Sequence, residues 1–337
     1  MKAPRFTALW ITEDPGPSYS RKITEKELDI LPSSDLLIRV HYSSLNYKDG
    51  LSATGNRGVT RVYPHIPGVD AAGVVERSSS DLFQPGDEVI VTGHELGSHA
   101  WGGWSEYISV PAAWAVKRPE PLTLRESMIL GTAGFTAGLA VSKLLHHGLR
   151  PDDRPVLVTG STGGVGCLSV AILSKLGFTV AAVTGKSEHH PFLRSIGAKS
   201  IIGRDEAVET SKKPLLSSRW AGVVDNVGGA ILESALRQVV PEGAVTCCGN
   251  IGSAELHTSL YPFILRGLAL FGIASAFTPM KTRLSIWNHL ATEWKPDNLE
   301  NLATETSLTG LDQTYIDQIL RGGVTGRVVV NMGSATG

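Results

Sequence analysis

The chain is 337 residues long, 42% hydrophobic and 19% charged, with a formal net charge of −1. The length predicts two domains, and the composition is that of a soluble globular protein. The near-neutral charge excludes the electrostatic footprint of a nucleic-acid or anionic-membrane binder.

Residues 1 to about 122 show short β-type runs broken by Gly and Pro, at Leu36–Tyr42, Gly73–Glu76, Glu88–Thr92 and Trp104–Val110. That texture predicts a compact β-rich domain. From 123 the pattern alternates helix and strand. Thr123-Leu124-Arg125-Glu126 reads as a capping box opening a long apolar helix that closes near Gly148. Strands at Val156, Thr179, Ser200, Ala221, Ala244 and Leu268 predict a doubly wound parallel sheet. The stretch Gly249–Leu260 is irregular. After Ser275 come an amphipathic segment, Met280–Trp294, and a last strand, Arg327–Asn331. The expected division is 1–122 with 276–337 as one domain and 123–275 as the other. No run reaches 18 apolar residues, and the start (Met1–Asp14) lacks a signal-peptide core. Cys167, Cys247 and Cys248 make neither a disulfide framework nor a CxxC pair, which fits a reducing cytoplasm.

The most informative segment is Val156–Leu168, an apolar run followed by Gly160, Gly163, Gly164 and Gly166. A helical pattern then runs to Gly177, and a second buried strand covers Thr179–Val183. This strand–turn–helix–strand unit has the size of a dinucleotide-binding unit. Its glycines allow a pyrophosphate to approach backbone donors at the helix N-terminus, at Thr162, Gly163, Gly164 and Val165. An NAD enzyme usually places an acid at the end of the second strand, for the ribose hydroxyls. Here that place reads Thr184-Gly185-Lys186-Ser187, with no acid before Glu188. A cation among small polar groups suits a 2′-phosphate, so NADPH is the expected cofactor. Arg204, after the strand Ser200–Ile202, is expected on the same crevice.

Four further segments carry a family resemblance. Ser44-Leu45-Asn46-Tyr47-Lys48-Asp49, Ile66-Pro67-Gly68-Val69-Asp70-Ala71-Ala72-Gly73, Gly131-Thr132-Ala133-Gly134-Phe135-Thr136-Ala137 and Pro262-Phe263-Ile264-Leu265-Arg266 occur in order. With the domain order, they resemble the zinc-free, quinone-oxidoreductase-like branch of the medium-chain dehydrogenase/reductase superfamily, the group containing NADPH-dependent acryloyl-CoA reductases. The resemblance covers nearly the whole chain; the stretch Pro15–Ile30 is longer than that group leads one to expect. It implies an α/β protein, with a GroES-like β-rich catalytic domain and a doubly wound Rossmann domain, working as a homodimer. It further implies cofactor contacts from Asn250, Ile264 and Ser275, with Arg327 close by, and it too places an arginine at 204.

Zinc alcohol dehydrogenases resemble this chain at Asn46–Asp49, but begin that motif with a Cys ligand. Where this chain has Gly68-Val69-Asp70 they carry Gly-His-Glu. Both ligands are replaced here, and residues 93–112, where a structural zinc lobe would lie, contain no cysteine. No metal is therefore expected. The pairs His146-His147 and His189-His190 lack metalloprotease spacing, and no Gly-x-Ser-x-Gly elbow exists.

Without a Lewis acid, hydride addition to an activated C=C bond suits the residues better than carbonyl–alcohol chemistry, because hydrogen bonds can stabilise the developing charge. The expected activity is NADPH-dependent reduction of a short enoyl-CoA, acryloyl-CoA to propanoyl-CoA. The alternatives are a quinone or enone oxidoreductase, or a non-catalytic NADPH-binding protein. The catalytic candidates are Tyr47, Asn46 and Asp49. Tyr47 is the preferred proton donor, since a phenol stays protonated at neutral pH; equally it could only pack on the nicotinamide. Asn46 can donate through its amide, whereas an ionised Asp49 can only accept and orients the loop or caps a helix. Arg57 and Arg61 are candidates for CoA phosphates, against the alternative of solvated surface arginines. Trp101-Gly102-Gly103-Trp104 is either a substrate wall or loop packing.

Overall fold

The computed structural model describes residues 4–16, 18–151 and 154–333. The chain opens with β1 (Arg5–Glu13) and β2 (Tyr19–Glu27), then β3 (Leu36–Ser44), α1 (Tyr47–Ala53), β4 (Asp70–Ser78), β5 (Glu88–Thr92), β6 (Tyr107–Val110) and β7 (Ala115–Lys117). The helix α2 (Leu124–His146) leads into β8 (Val156–Val158), α3 (Gly164–Lys175), β9 (Val180–Thr184), α4 (His190–Ser195), β10 (Ala198–Gly203) and β11 (Trp220–Asp225). Next come α5 (Gly229–Leu236), β12 (Val239–Cys247), α6 (Tyr261–Arg266), β13 (Ala269–Gly272) and α7 (Met280–Ala291). The chain closes with β14 (Ala303–Thr306), α8 (Leu308–Gly310), α9 (Ile316–Leu320) and β15 (Arg327–Asn331).

Two compact units result. The first takes the residues up to Thr132 with Ala276–Leu284 and Leu299 onward; the second takes Ala133–Ser275 with Ser285–Asn298. In the first, a seven-stranded sheet runs in the order β14-β15-β3-β4-β5-β7, with β6 also on β3. Strand β3 pairs antiparallel with both β15 and β4, bringing Ser44 opposite Val329 and Ser43 opposite Ala71. One end of β3 therefore lies beside the start of β4, and the functional side chains collect there. The core beneath holds Phe6, Leu36, Ile38, Leu45, Ile66, Trp104 and Val330; each such side chain contributes about 1.5–3 kcal/mol on burial.

The N-terminal hairpin of β1 and β2 was not legible as strands. Arg5 pairs with Glu27 and Glu13 with Tyr19, and Phe6, Ala8, Leu9 and Ile11 on β1 are buried. Strand β2 has no buried residue, so its sequence lacks the alternation that marks a strand with one wet face.

The second unit holds a six-stranded sheet in the order β10-β9-β8-β11-β12-β13, parallel throughout. That is the dinucleotide-binding order, and its topological switch point falls between β8 and β11. Strand β9 is buried along its whole length, as parallel strands covered on both faces are.

Thr123 and Glu126 cap α2 reciprocally, at 2.8 and 3.0 Å. It is the one helix among the described residues long and apolar enough to cross a membrane, and it is mostly buried in the protein. Gly131 breaks it (φ 50°, ψ −154°), and the division between units falls just after, at Thr132/Ala133. The pattern change at 123 placed that division ten residues too early. Residues 124–132 stay with the first unit because Arg125 bonds Glu305, Ile129 O accepts from Arg327, and Thr132 bonds Asp70. Ser285–Asn298 joins the second unit instead: Trp287 stacks on Phe135, and Asp297 pairs with Lys175.

Candidate functional site

In the second unit, Gly160 leaves β8 with φ +58°, a conformation glycine adopts without penalty. The loop turns so tightly that a Cβ on Gly166 would lie 2.2 Å from Gly160 O. Ser161 anchors it, donating to Val158 O (2.7 Å) and accepting from Val183 N (3.0 Å). Gly163 starts α3 without a side-chain cap. The first-turn amides of Gly164 and Val165 have no acceptor within the helix and suit a pyrophosphate.

At the end of β9, Thr184 Oγ1 accepts from Lys186 N (3.1 Å). Arg204 lies over Gly185: a Cβ there would sit 3.2 Å from its Nε and 3.3 Å from its Cζ. Burial lowers the Lys186 pKa first, and the positive charge of Arg204 lowers it further against the pull of Glu188. Two cations thus converge beside Gly185, the arrangement a phosphate dianion neutralises.

Sequence reasoning missed what holds the other lip of the switch point. Asp225, fully buried at the end of β11, accepts from Thr159 Oγ1 (2.7 Å) and Gly228 N (2.8 Å). Burial raises its pKa. Asn226 bonds back to Thr159 through both its backbone and its side chain. Asn250 is exposed, its Cα 3.5 Å from where a Gly228 Cβ would stand. Ile264 stands exposed on α6, and Ser275 is half-buried beyond β13.

In the first unit, α1 begins with a reciprocal box between Asn46 and Asp49. Asp49 is fully buried and accepts from Asn46 N and Val69 N, each at 2.8 Å. Burial, then the charge of Asp70, push its carboxyl up to about 7 against the pull of those amides. Expected among the catalytic groups, Asp49 is here a cap and brace with no face toward solvent. Tyr47, the first residue of α1, is 42% exposed.

Asp70 is the hub that sequence reasoning passed over. Its Oδ2 accepts from Ser44 Oγ (2.6 Å), Asn46 Nδ2 (2.8 Å) and Thr132 N (2.9 Å), and its Oδ1 accepts from Thr132 Oγ1 (2.6 Å). Arg327, 3% exposed, brings Nη2 to 3.9 Å of Oδ2. Its other bonds go to Ile129 O, Leu45 O, Ser44 Oγ and Asn46 Oδ1. Arg327 is expected near the cofactor; its guanidinium braces the turn between β3 and α1, because β15 delivers it into the core beside Ser44.

Arg57 pairs with Glu13 and lies over the rings of Tyr19 and Tyr63, while Arg61 is exposed. Trp104 is fully buried, with Nε1 donating to Ser44 O (3.1 Å), and Trp101 packs edge-on against Trp10. Both tryptophans of that motif are engaged in packing. Among the described residues no group of three or more His, Cys, Asp or Glu side chains is placed to hold a metal ion. The partners of Asp70 are amide, hydroxyl and guanidinium groups.

Residues 32–120 match the Alcohol dehydrogenase GroES-like domain and residues 164–286 the Zinc-binding dehydrogenase family. The chain is 45% identical to Acrylyl-CoA reductase AcuI of Ruegeria pomeroyi, over 97% of this chain and 99% of that one. It is 25% identical to Quinone oxidoreductase of Sus scrofa, covering 79% and 80% of the two chains. The yhdH oxidoreductase from Salmonella enterica in complex with NADP superposes with a TM-score of 0.93 at 40% identity, covering 96% of this chain and 99% of that one. Bacillus subtilis protein yhfP with NAD bound superposes at 0.95 and 41% identity, covering 98% and 100%. The chain belongs to the medium-chain dehydrogenase/reductase family, with a GroES-like domain and a Rossmann domain.

Proposed function

Taking that membership as the premise, we propose that the chain is an NADPH-dependent reductase of a short α,β-unsaturated acyl-CoA, converting acryloyl-CoA to propanoyl-CoA without a metal. The observation that carries the reading is its near-complete 45% identity to an acrylyl-CoA reductase. The convergence of Lys186 and Arg204 beside Gly185 favours NADPH over NADH. Thr162, Gly163, Gly164 and Val165 would hold the pyrophosphate, and Thr184, Gly185, Lys186 and Arg204 the 2′-phosphate. Asn250, Ile264 and Ser275 are proposed as further contacts.

When bound, NADPH supplies the hydride for the β-carbon of the thioester. The residues of this chain must then stabilise the resulting enolate and protonate its α-carbon. Tyr47 is the proposed donor, because the other two candidates, Asn46 and Asp49, are already committed. Asn46 Nδ2 faces Asp70, and Asp49 is enclosed by backbone amides. Exposed Arg61 is the better candidate of the two arginines for a CoA phosphate, since Glu13 already neutralises Arg57. A cytoplasmic homodimer that engages neither nucleic acid nor membrane completes the proposal.

The test is loss of NADPH absorbance with acryloyl-CoA, a quinone and a simple enone at matched concentrations. A kcat/KM for acryloyl-CoA above the other two supports the reading. A preference for the quinone overturns it in favour of quinone reduction.

A further inference from the structure

We propose that Asp70 is a positioning residue for the proton-donating turn, acting through Asn46 to fix where Tyr47 begins α1; this rests on the role proposed above for Tyr47. Four chain segments bring donors to this one carboxylate: Ser44 from β3, Asn46 from the start of α1, Thr132 from the break in α2 and Arg327 from β15. The orientation of the Asn46 amide follows from its neighbours. Nδ2 faces the carboxyl groups of Asp70 (2.8 Å) and Asp49 (3.3 Å), while Oδ1 faces Arg327 (3.3 Å), which only donates. A flipped amide would set donor against donor and acceptor against acceptor. Asn46 is thus a strut with both ends fixed, and its backbone leads directly into Tyr47.

The surroundings of Asp70 show what the arrangement costs. A buried ion pair loses hydration on both partners and returns little net stability. Asp70 and Arg327 are such a pair, at 0% and 3% exposure. Gly131 adopts φ +50°, and a Cβ there would lie 2.5 Å from Asp70 Oδ2. A site built for stability alone is better served by apolar packing. This one holds geometry.

Asp70→Asn strands the charge of Arg327 in the core, so Ser44→Ala is the companion variant. It removes one hydroxyl that bonds Asp70, Asn46 and Arg327, and changes no charge. Both are combined with Tyr47→Phe, and turnover of acryloyl-CoA is measured with saturating NADPH. The expected result is a kcat loss of roughly 10- to 100-fold for each variant with Tyr47 present, the scale of a misplacement near 1 Å. KM for NADPH stays at the wild-type value, and no further loss appears in the Tyr47→Phe background. Equal losses in both backgrounds, or an unchanged kcat, overturn the proposal. Crystal structures of Ser44→Ala and the wild type read the placement without turnover. A displaced Tyr47 supports the positioning role, and a superposable turn overturns it. Should the wild type leave acryloyl-CoA unreduced, the functional reading falls while this structural arm still decides the role of Asp70.

Discussion

The Asp70 carboxylate occupies the space that a side chain at Gly131 would need, with Oδ2 2.5 Å from the position of its missing Cβ. Gly131→Ala therefore meets both a positive φ and a buried carboxylate that five hydrogen bonds hold in place. The expected destabilisation is about 1–3 kcal/mol or more, the scale of a non-glycine residue forced into that region. Chemical denaturation of the variant beside the wild type measures it. Gly134→Ala, a few residues along the same helix at ordinary φ, is the control.

Tyr47→Phe keeps the ring and removes the hydroxyl. A donor role predicts a fall in kcat of roughly 100-fold or more, within the range of general acid catalysis. NADPH affinity, read by fluorescence titration, should not move. Near-wild-type turnover would leave Tyr47 as a packing group.

Lys186→Ala removes one of two cations beside Gly185. A charge-assisted hydrogen bond is worth about 1.5–3 kcal/mol, so KM for NADPH should rise roughly 10- to 100-fold while KM for NADH stays put. Equal use of both cofactors by the wild type contradicts the assignment, a real contest given the NAD-bound relative.

Asp49 predicts a pH dependence of stability. Its folded pKa of about 7 lies above the ordinary carboxylate value of 3.8. Between those values the unfolded chain has released the proton that the folded protein keeps. Asp49 therefore favours the folded state fully below about pH 4, and this contribution is lost as pH rises toward 7, by about 1.4 kcal/mol per pH unit. The difference in unfolding free energy between wild type and Asp49→Asn, followed from pH 4 to 8, should fall across that window and level off above it. A difference that does not vary with pH rules out the raised pKa.

The cofactor half of the site was legible because its signals are local. One strand, one glycine-rich turn and one helix lie consecutively from Val156 to Lys175, and Lys186 follows directly from β9. The other half was not, because Asp70 meets Thr132 62 positions later and Arg327 comes from the last strand. Spacing carries no trace of such partners. Arg327 illustrates the difficulty: the sequence marks it as a cation opening a strand, while only the antiparallel register of β15 on β3 shows that it turns inward toward Ser44. Asp49 was readable as a cap, but its enclosure depends on the amide of Val69, twenty residues away.

The source of Arg327 also orders events as the chain leaves the ribosome. Residues 133–275 form one uninterrupted stretch carrying all six strands of the parallel sheet, so a nascent chain can assemble the nucleotide cradle early, domains generally folding as units during synthesis. The place beside β3 stays empty until β15 emerges, and until then Ser44, Asn46 and Asp70 lack their guanidinium. A polypeptide stalled short of its last strand is expected to carry all six parallel strands while Asp70 still lacks Arg327, an order that ribosome-bound chains of graded length would expose.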